Sequence, residues 1–139
     1  MAIPVVQLGT GNVGVHSLRA LITNPEFELT GVWVSSDAKA GKDAAQLAGL
    51  ADSTGVKAST DLDAVLATGP KCAVYNAMAD NRLPEALEDY RRVLAAGVNI
   101  VGSGPVFLQS RGAHQALGRR CPRRQFEPVR QRHRSGFRQ

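Results

Sequence analysis

Three glycines with the spacing G-x-G-x-x-G form the part of this chain that is best suited to chemistry. They are Gly9, Gly11 and Gly14, and they lie between an apolar run, Ile3–Leu8, and a segment with helical spacing. A glycine-rich turn from a strand into a helix presents free backbone N–H groups and the positive end of the helix dipole to a phosphate. In this context the first glycine permits the tight turn, the second lets a pyrophosphate approach, and the third lets the helix pack on the strand. The pattern predicts a dinucleotide site. The alternative is a glycine-rich turn without a ligand.

The end of the second predicted strand, about 20 residues past the glycines, should determine which dinucleotide binds. A site for NAD usually offers Asp or Glu there, to hold the ribose hydroxyls. This chain offers Ser35 and Ser36, followed by Lys39 and Lys42. Serines can donate hydrogen bonds to a 2′-phosphate and lysines can neutralise it, so the pattern favours NADP. NAD stays open, because Asp37 is only one to three residues late and a small register shift would bring it to the ribose.

Two more strand ends belong at the same edge of the predicted sheet. Asn76, Ala77 and Met78 lie at the end of the fourth strand, and residues 102–104 follow the fifth. Ligands of open α/β folds bind at the carboxyl edge of the sheet. Two interpretations of these segments remain open: they contact a cofactor, or they are ordinary transitions from strand to loop. The residues predicted to bind the cofactor are Gly9, Thr10, Gly11, Asn12, Val13, Gly14, Ser35, Ser36, Asn76, Ala77 and Met78.

Strands and helices alternate along the predicted fold. The predicted strands are Ile3–Leu8, Glu28–Ser35, Val56–Ser59, Cys72–Asn76 and Val98–Val101, and the predicted helices are Asn12–Thr23, Asp43–Leu50, Thr60 or Asp61 to Ala67, and Pro84–Ala96. Such alternation implies a parallel sheet with helices on both faces. The expected fold class is therefore α/β, a Rossmann-type doubly wound parallel sheet in a single domain.

Other kinds of site find little support in the sequence. It contains no Ser-His-Asp set, no Walker loop and no metal cluster, and Cys72 and Cys121 have neither a disulfide framework nor metal spacing. His16 is typical of a surface histidine on the first helix. We therefore predict no catalytic residue and no metal site. No apolar run reaches about 18 residues and the first residues lack the features of a signal peptide, so we expect a cytoplasmic protein without a membrane span.

The charge changes sharply near residue 110 of the 139 residues. Residues 1–110 carry eight basic and eleven acidic residues, a net charge of −3, whereas residues 111–139 carry nine arginines, no lysine and one acid, a net charge of +8. A basic arm for a polyanion is one interpretation. The favoured one is an unselected, disordered tail from a shifted reading frame, because arginine without lysine is unusual for a binding arm. Nucleic acid is therefore not an expected partner.

Four segments together resemble one known family. They are Ile3–Gly14, the second strand LTGVWVSS, the fourth strand CAVYNAMA and the fifth-strand segment GVNIVGSGPVFLQ. The chain resembles the dihydrodipicolinate reductase-like NAD(P)-dependent oxidoreductases, in a branch similar to 2,4-diaminopentanoate dehydrogenase. The resemblance covers residues 1–109, and it implies an NAD(P)-binding Rossmann domain over that range.

The resemblance also implies an activity and roles for residues. The family moves hydride to or from a C=N or C–NH2 carbon of an amino acid or a cyclic imine. Gly9–Gly14 would hold the pyrophosphate, Ser35 and Ser36 the adenosine ribose, and the loop from Asn76 would lie along the nicotinamide ribose. The substrate would be an amino-acid-like small molecule.

The resemblance ends after Gln109, where the family continues into a substrate domain. Residues 110–139 match no part of that domain, so no catalytic residue can be carried over and we expect a truncated or frameshifted product. Such a chain would be inactive or weakly active alone, and whether it is an enzyme stays open. The alternative function is a non-catalytic dinucleotide-binding module with the basic tail as a contact arm.

Overall fold

Five strands alternate with four helices in the computed structural model, which describes residues 1–78 and 82–103. The strands are β1 (Ile3–Leu8), β2 (Phe27–Trp33), β3 (Ala58–Ser59), β4 (Cys72–Tyr75) and β5 (Asn99–Gly102). The helices are α1 (Gly14–Thr23), α2 (Ala44–Ala48), α3 (Leu62–Leu66) and α4 (Leu83–Ala95). Every predicted element is present in the predicted order. The predicted tail, residues 110–139, lies outside the described residues.

The five strands form one parallel sheet in the order β3-β2-β1-β4-β5. The chain runs outward from β1 through β2 to β3, and then crosses to the other side of β1 to form β4 and β5. The strand order therefore reverses between β1 and β4. In open α/β sheets this reversal leaves a crevice at the carboxyl ends of the two strands, where ligands bind.

Two hydrophobic clusters cover the two faces of the sheet. One joins α1 and α2 to β2 and β3 through buried residues that include Leu18, Val32 and Ala48. The other joins α3 and α4 to β1 and β4 through buried residues that include Val65 and Tyr90. Neighbouring residues of β2 enter different clusters, since Val32 belongs to the first and Trp33 to the second. The expectation of an α/β doubly wound Rossmann-type sheet is confirmed.

The boundaries of some elements differ from the prediction. β2 ends at Trp33, so Ser35 and Ser36 lie in the loop that follows it. β3 has two residues instead of four, and α2 ends at Ala48, two residues early, because Gly49 adopts the left-handed conformation with φ of 71°. Among the described residues, no helix combines the length and the apolar character needed to cross a bilayer.

Asp43 holds together the loop that connects α2 to β3. Its carboxylate accepts hydrogen bonds from the backbone N–H groups of Ala45, Thr54 and Gly55 and from the hydroxyls of Ser53 and Thr54. These donors favour the charged form, the Thr54 N–H most strongly, and they hold the pKa of Asp43 well below its ordinary value of 3.8. The ionised side chain is therefore more stable in the folded protein than in the unfolded one.

An acid-dependent loss of stability should follow from this pKa. The contribution of Asp43 is fully present above the unfolded pKa, near 3.8, and is lost as pH falls through the lowered folded pKa. Replacing Asp43 with alanine should lower Tm at pH 7 and flatten the fall of Tm below pH 4. Thermal melts of the two proteins from pH 2 to pH 7 measure both effects, with exposed Asp52→Ala as the control. Parallel curves for Asp43→Ala and the native chain would contradict this account.

Candidate functional site

A cleft of about 490 Å³ opens at the carboxyl ends of β1, β2 and β4, where the strand order reverses. Its lining residues are Gly9, Thr10, Gly11, Asn12, Val13, Trp33, Ser35, Ser36, Lys39, Tyr75, Asn76, Ala77, Met78, Arg82 and Ser103. Ten of the eleven residues predicted to bind a cofactor are in this set, and Gly14 lies directly beneath it, against Gly9. The structure therefore brings the three predicted segments together around one cavity.

The three glycines of the loop have different surroundings. Gly9 has φ of +97°, and a Cβ there would lie 2.6 Å from the Ala77 backbone nitrogen. A Cβ on Gly14 would meet the carbonyl oxygen of Gly9 and lie 2.8 Å from its carbonyl carbon. Gly11 has no heavy atom of the described residues within 4 Å of the place its Cβ would take, so this position faces open space in the cleft. Gly9 and Gly14 thus allow close backbone packing around the loop, whereas Gly11 leaves room for a ligand.

The N-terminus of α1 lies at the cleft without a side-chain cap. The backbone N–H groups of Gly11, Asn12 and Val13 are at exposed residues, and they have no hydrogen-bond acceptor among residues 1–78 and 82–103. By contrast, Asp43 and Asp61 cap α2 and α3 with their carboxylates. The first turn of α1 also has no acidic residue. An uncapped helix start with free N–H groups favours an anion such as a phosphate.

Lys39 connects the loop after β2 to the glycine loop. Its ammonium donates to the Thr10 carbonyl oxygen at 3.0 Å and contacts the Thr10 hydroxyl at 3.3 Å. Ser35 and Ser36 line the cleft beside it, whereas Lys42 and Asp37 are exposed and lie outside the lining. Of the two lysines that follow the serines, Lys39 therefore lies in the cleft lining and Lys42 does not.

The described lining of the cleft carries a net positive charge. Among residues 1–78 and 82–103, the lining contains two cationic residues, Lys39 and Arg82, and no Asp or Glu. A cleft with low-dielectric walls concentrates the field of such charges and attracts anions. Within the described parts of the chain, no group of three or more His, Cys, Asp and Glu could hold a metal ion, and the exposed His16 is outside the cleft.

Two side-chain amides and one hydroxyl form a row of hydrogen bonds at the floor of the cleft. The Nε2 of Gln7 donates to the Gly9 carbonyl oxygen and to Asn76 Oδ1, both at 2.9 Å. Asn76 Nδ2 in turn donates to Ser103 Oγ at 3.2 Å. These hydrogen bonds link the carboxyl ends of β1, β4 and β5 at the cleft.

Sequence reasoning missed Gln7, Trp33, Tyr75 and Arg82 as parts of the site. Trp33 and Tyr75 are buried in the core, and both also border the cleft. Gln7 lies inside an apolar strand, where a polar residue is the signal that could have identified it. Arg82 follows the fourth strand by several residues and carries no spacing signal.

Tyr75 is held as a neutral hydrogen-bond donor. Its hydroxyl donates to Asp89 Oδ2 at 2.9 Å inside the core. Burial first, and the nearby charge of Asp89 second, raise the pKa of Tyr75. Burial also raises the pKa of Asp89, against the opposing effects of the Tyr75 hydrogen bond and the Arg82 charge. The phenol is therefore suited to packing and not to proton transfer near neutral pH.

The sequence is similar to that of amine dehydrogenases. Over 99 residues it is 42% identical to an amine dehydrogenase of Streptomyces virginiae, a match that covers 71% of this chain and 28% of that protein. The structure of an amine dehydrogenase from Mycobacterium smegmatis is 31% identical, with a TM-score of 0.63 over 73% of this chain and 30% of that one. No family model matches the sequence. The chain therefore spans less than a third of the length of these relatives.

Other solved structures share the fold at lower identity. Dihydrodipicolinate reductase from Paenisporosarcina sp. TG-14 is 19% identical, with a TM-score of 0.61 over 84% of this chain and 42% of that one. Among further structures of this fold, one is in complex with NAD and another contains NADP. The described residues thus have the Rossmann fold of NAD(P)-binding oxidoreductase domains, and the sequence similarity is to part of a dehydrogenase.

Proposed function

We propose that this chain binds a nicotinamide dinucleotide, with NADP preferred over NAD, as the cofactor-binding part of an amine dehydrogenase-like oxidoreductase. The observation that carries the proposal is the uncapped start of α1 beside the open space at Gly11. A pyrophosphate needs both features, since it must approach the backbone closely and accept hydrogen bonds from free N–H groups. Sequence similarity to two amine dehydrogenases supports the same conclusion independently.

In this proposal each side of the cleft holds one part of the cofactor. The backbone N–H groups of residues 11–13 hold the pyrophosphate. Lys39, Ser35 and Ser36 hold the adenosine ribose and its 2′-phosphate, because they supply one cation and two hydroxyls where a site for NAD offers a carboxylate. The segment from Asn76 holds the nicotinamide ribose at the end of β4.

The reaction class follows from the relatives. A bound nicotinamide supplies or accepts a hydride, and the amine dehydrogenase-like protein would move it to or from a C=N or C–NH2 carbon. The substrate class is an amino-acid-like amine or a cyclic imine. This chain spans 28% of the S. virginiae protein, and rate enhancement needs a substrate held against the nicotinamide. We therefore expect the chain to bind the cofactor, and turnover to require a substrate held against the nicotinamide.

A titration tests the binding directly. The purified chain is titrated with NADPH and with NADH, and the enhancement of nicotinamide fluorescence reports the two dissociation constants. We expect saturable binding of both dinucleotides, tighter for NADPH, and a rise in Tm with ligand concentration. A folded chain that changes neither fluorescence nor Tm at millimolar NADPH would refute the proposed function.

Lys39 should determine the preference for NADPH. Its charge-assisted hydrogen bond to a 2′-phosphate is worth about 1.5–3 kcal/mol, so Lys39→Ala should weaken NADPH binding by about 10- to 100-fold. NADH lacks that phosphate and should lose much less affinity. The same fluorescence titrations measure both ratios.

Lys42→Ala is the matched control for this prediction, because Lys42 is an exposed lysine three residues away and outside the cleft lining. It removes the same charge and should leave the ratio of NADPH to NADH affinity unchanged. If both variants weaken NADPH binding equally, general electrostatic attraction and not a contact at Lys39 sets the preference.

A further inference from the structure

Gln7 is a fully buried polar side chain near the carboxyl end of β1. Its exposed fraction is 0%, and its neighbours in the strand, Val6 and Leu8, are also fully buried. Its side chain lies on the side of the sheet where α1 packs, since a Cβ on Gly14 would come within 3.4 Å of Gln7 Nε2. Burial of an amide is costly unless its hydrogen bonds are made, so this side chain needs an explanation.

The hydrogen bonds of Gln7 fix the direction of its amide. Nε2 has two N–H bonds, and both are used, one by the Gly9 carbonyl oxygen and one by Asn76 Oδ1. A backbone carbonyl can only accept, so a rotated amide would place Gln7 Oε1 against the Gly9 oxygen and repel it. The Gly9 carbonyl therefore forces the amino group of Gln7 to face the floor of the cleft.

That direction in turn fixes the direction of Asn76. Because the amino group of Gln7 faces it, Asn76 must present its oxygen inward, and its own amino group then lies on the other side. One N–H of Asn76 Nδ2 is donated to Ser103 Oγ, and both residues line the cleft. Among the described residues, no acceptor takes the second N–H, which leaves it for a ligand.

This orientation of the Gln7 amide leaves its oxygen without a hydrogen bond to the described residues. Gln7 Oε1 is the one buried side-chain polar atom in residues 1–78 and 82–103 that has no hydrogen-bond partner. Leucine or methionine would fill a similar volume without this defect. An amide is retained at a buried position where an apolar residue would avoid an unsatisfied oxygen, and this points to a role beyond packing.

We propose that Gln7 is a positioning residue of the cofactor site, which holds Asn76 so that the cleft presents an N–H donor to an oxygen of the bound dinucleotide. The acceptor is a ribose hydroxyl or the carboxamide oxygen at the nicotinamide end, since Asn76 follows β4. This inference rests on the proposed dinucleotide function. It assigns to Gln7 an effect on affinity that passes through Asn76 and not through the stability of β1.

A double-mutant cycle on the full chain tests this route. The proteins are Gln7→Leu, Asn76→Ala, the double variant, and Val6→Ala, a control that removes buried volume from the same strand without touching the site. We expect Gln7→Leu and Asn76→Ala each to weaken NADPH binding by about tenfold, the size of one lost hydrogen bond. In the Asn76→Ala background, Gln7→Leu should have no further effect on affinity. Val6→Ala should lower Tm and keep native affinity.

Two results would overturn the proposal. One is an equal loss of affinity from Gln7→Leu in both backgrounds, which would mean that Gln7 does not act through Asn76. The other is an affinity for Gln7→Leu that matches that of Val6→Ala at equal loss of Tm, which would make the role purely structural.

A measurement without cofactor separates this inference from the proposed function. In ¹⁵N spectra of the free chain, the Asn76 side-chain amide should give a dispersed pair of signals with slow solvent exchange, and Gln7→Leu should shift them and speed their exchange. If the native chain binds no NADPH but the Asn76 signals respond in this way, the proposed function fails while the Gln7–Asn76 link holds. If the signals ignore Gln7→Leu, the inference fails whatever the chain binds.

Discussion

Replacing Gly11 with aspartate is expected to abolish dinucleotide binding while the domain stays folded. Gly11 is exposed, and in the part of the chain that the structure describes no heavy atom lies within 4 Å of an added Cβ, so the fold can accept a side chain there. The new carboxylate would occupy the space that the pyrophosphate needs. Two unit charges of the same sign about 4 Å apart near a protein surface repel by about 4 kcal/mol, which corresponds to a loss of about 1,000-fold in affinity. NADPH titration by fluorescence measures this loss, and a thermal melt measures the stability.

Two control variants separate the causes of the loss. Gln46→Glu adds the same single negative charge at an exposed position of α2, outside the cleft, and should bind NADPH as the native chain does. Gly11→Ala adds bulk without charge and should lose less affinity than Gly11→Asp. Native affinity in Gly11→Asp would show that the pyrophosphate does not lie on the glycine loop, and the main support for the proposed function would be gone.

The fold could be predicted from the sequence because its determinants are local. The apolar run of β1 ends at Gly9, and Gly49 and Gly97 follow α2 and α4 with positive φ, at points where the predicted helices end nearby. Asp43 and Asp61 cap the helices that they precede. Each of these signals acts within a few residues of the chain. The alternation of strand and helix then leaves few possible topologies.

The glycine loop of the candidate site could be predicted for the same reason, since its spacing and its flanking elements are close in sequence. The segments after β2 and β4 could also be predicted, because ligands of open α/β sheets bind at the carboxyl ends of the strands. The contacts between these segments could not be predicted, because they join residues that are distant in sequence. Lys39 reaches Thr10 across 29 positions, and Gln7 reaches Asn76 across 69. The sequence pattern does not indicate which distant residues pair. The direction of the Asn76 amide depends on hydrogen-bond geometry alone.

The three glycines of the loop have two different roles, backbone packing at Gly9 and Gly14 and ligand access at Gly11. Gly9 and Gly14 bring the end of β1, the start of α1 and the segment after β4 into backbone contact, and this contact shapes the loop. Gly11 takes no part in that packing and leaves the surface that a phosphate can approach. Substitutions in the same loop should therefore separate into those that damage folding and those that damage binding.

Gly14→Ala is expected to destabilise the domain strongly. The added Cβ would contact the Gly9 carbonyl oxygen and lie 2.8 Å from the Gly9 carbonyl carbon, and both are backbone atoms that cannot rotate away. α1 would have to move off the end of β1, and Gln7 Nε2, 3.4 Å from the same Cβ, would be displaced with it. Overpacking of this kind costs about 3 kcal/mol, which lowers Tm by about 10 °C or more in a domain of this size.

Gly11→Ala is the matched control for Gly14→Ala, because it makes the same substitution three residues earlier in open space. Its φ is not positive, so alanine should leave Tm unchanged or raise it slightly by restricting the unfolded chain. Thermal melts without ligand compare the three proteins. We expect a large loss of Tm in Gly14→Ala alone, whereas equal melting of both variants would show that α1 does not rest on the Gly9 carbonyl as this packing requires.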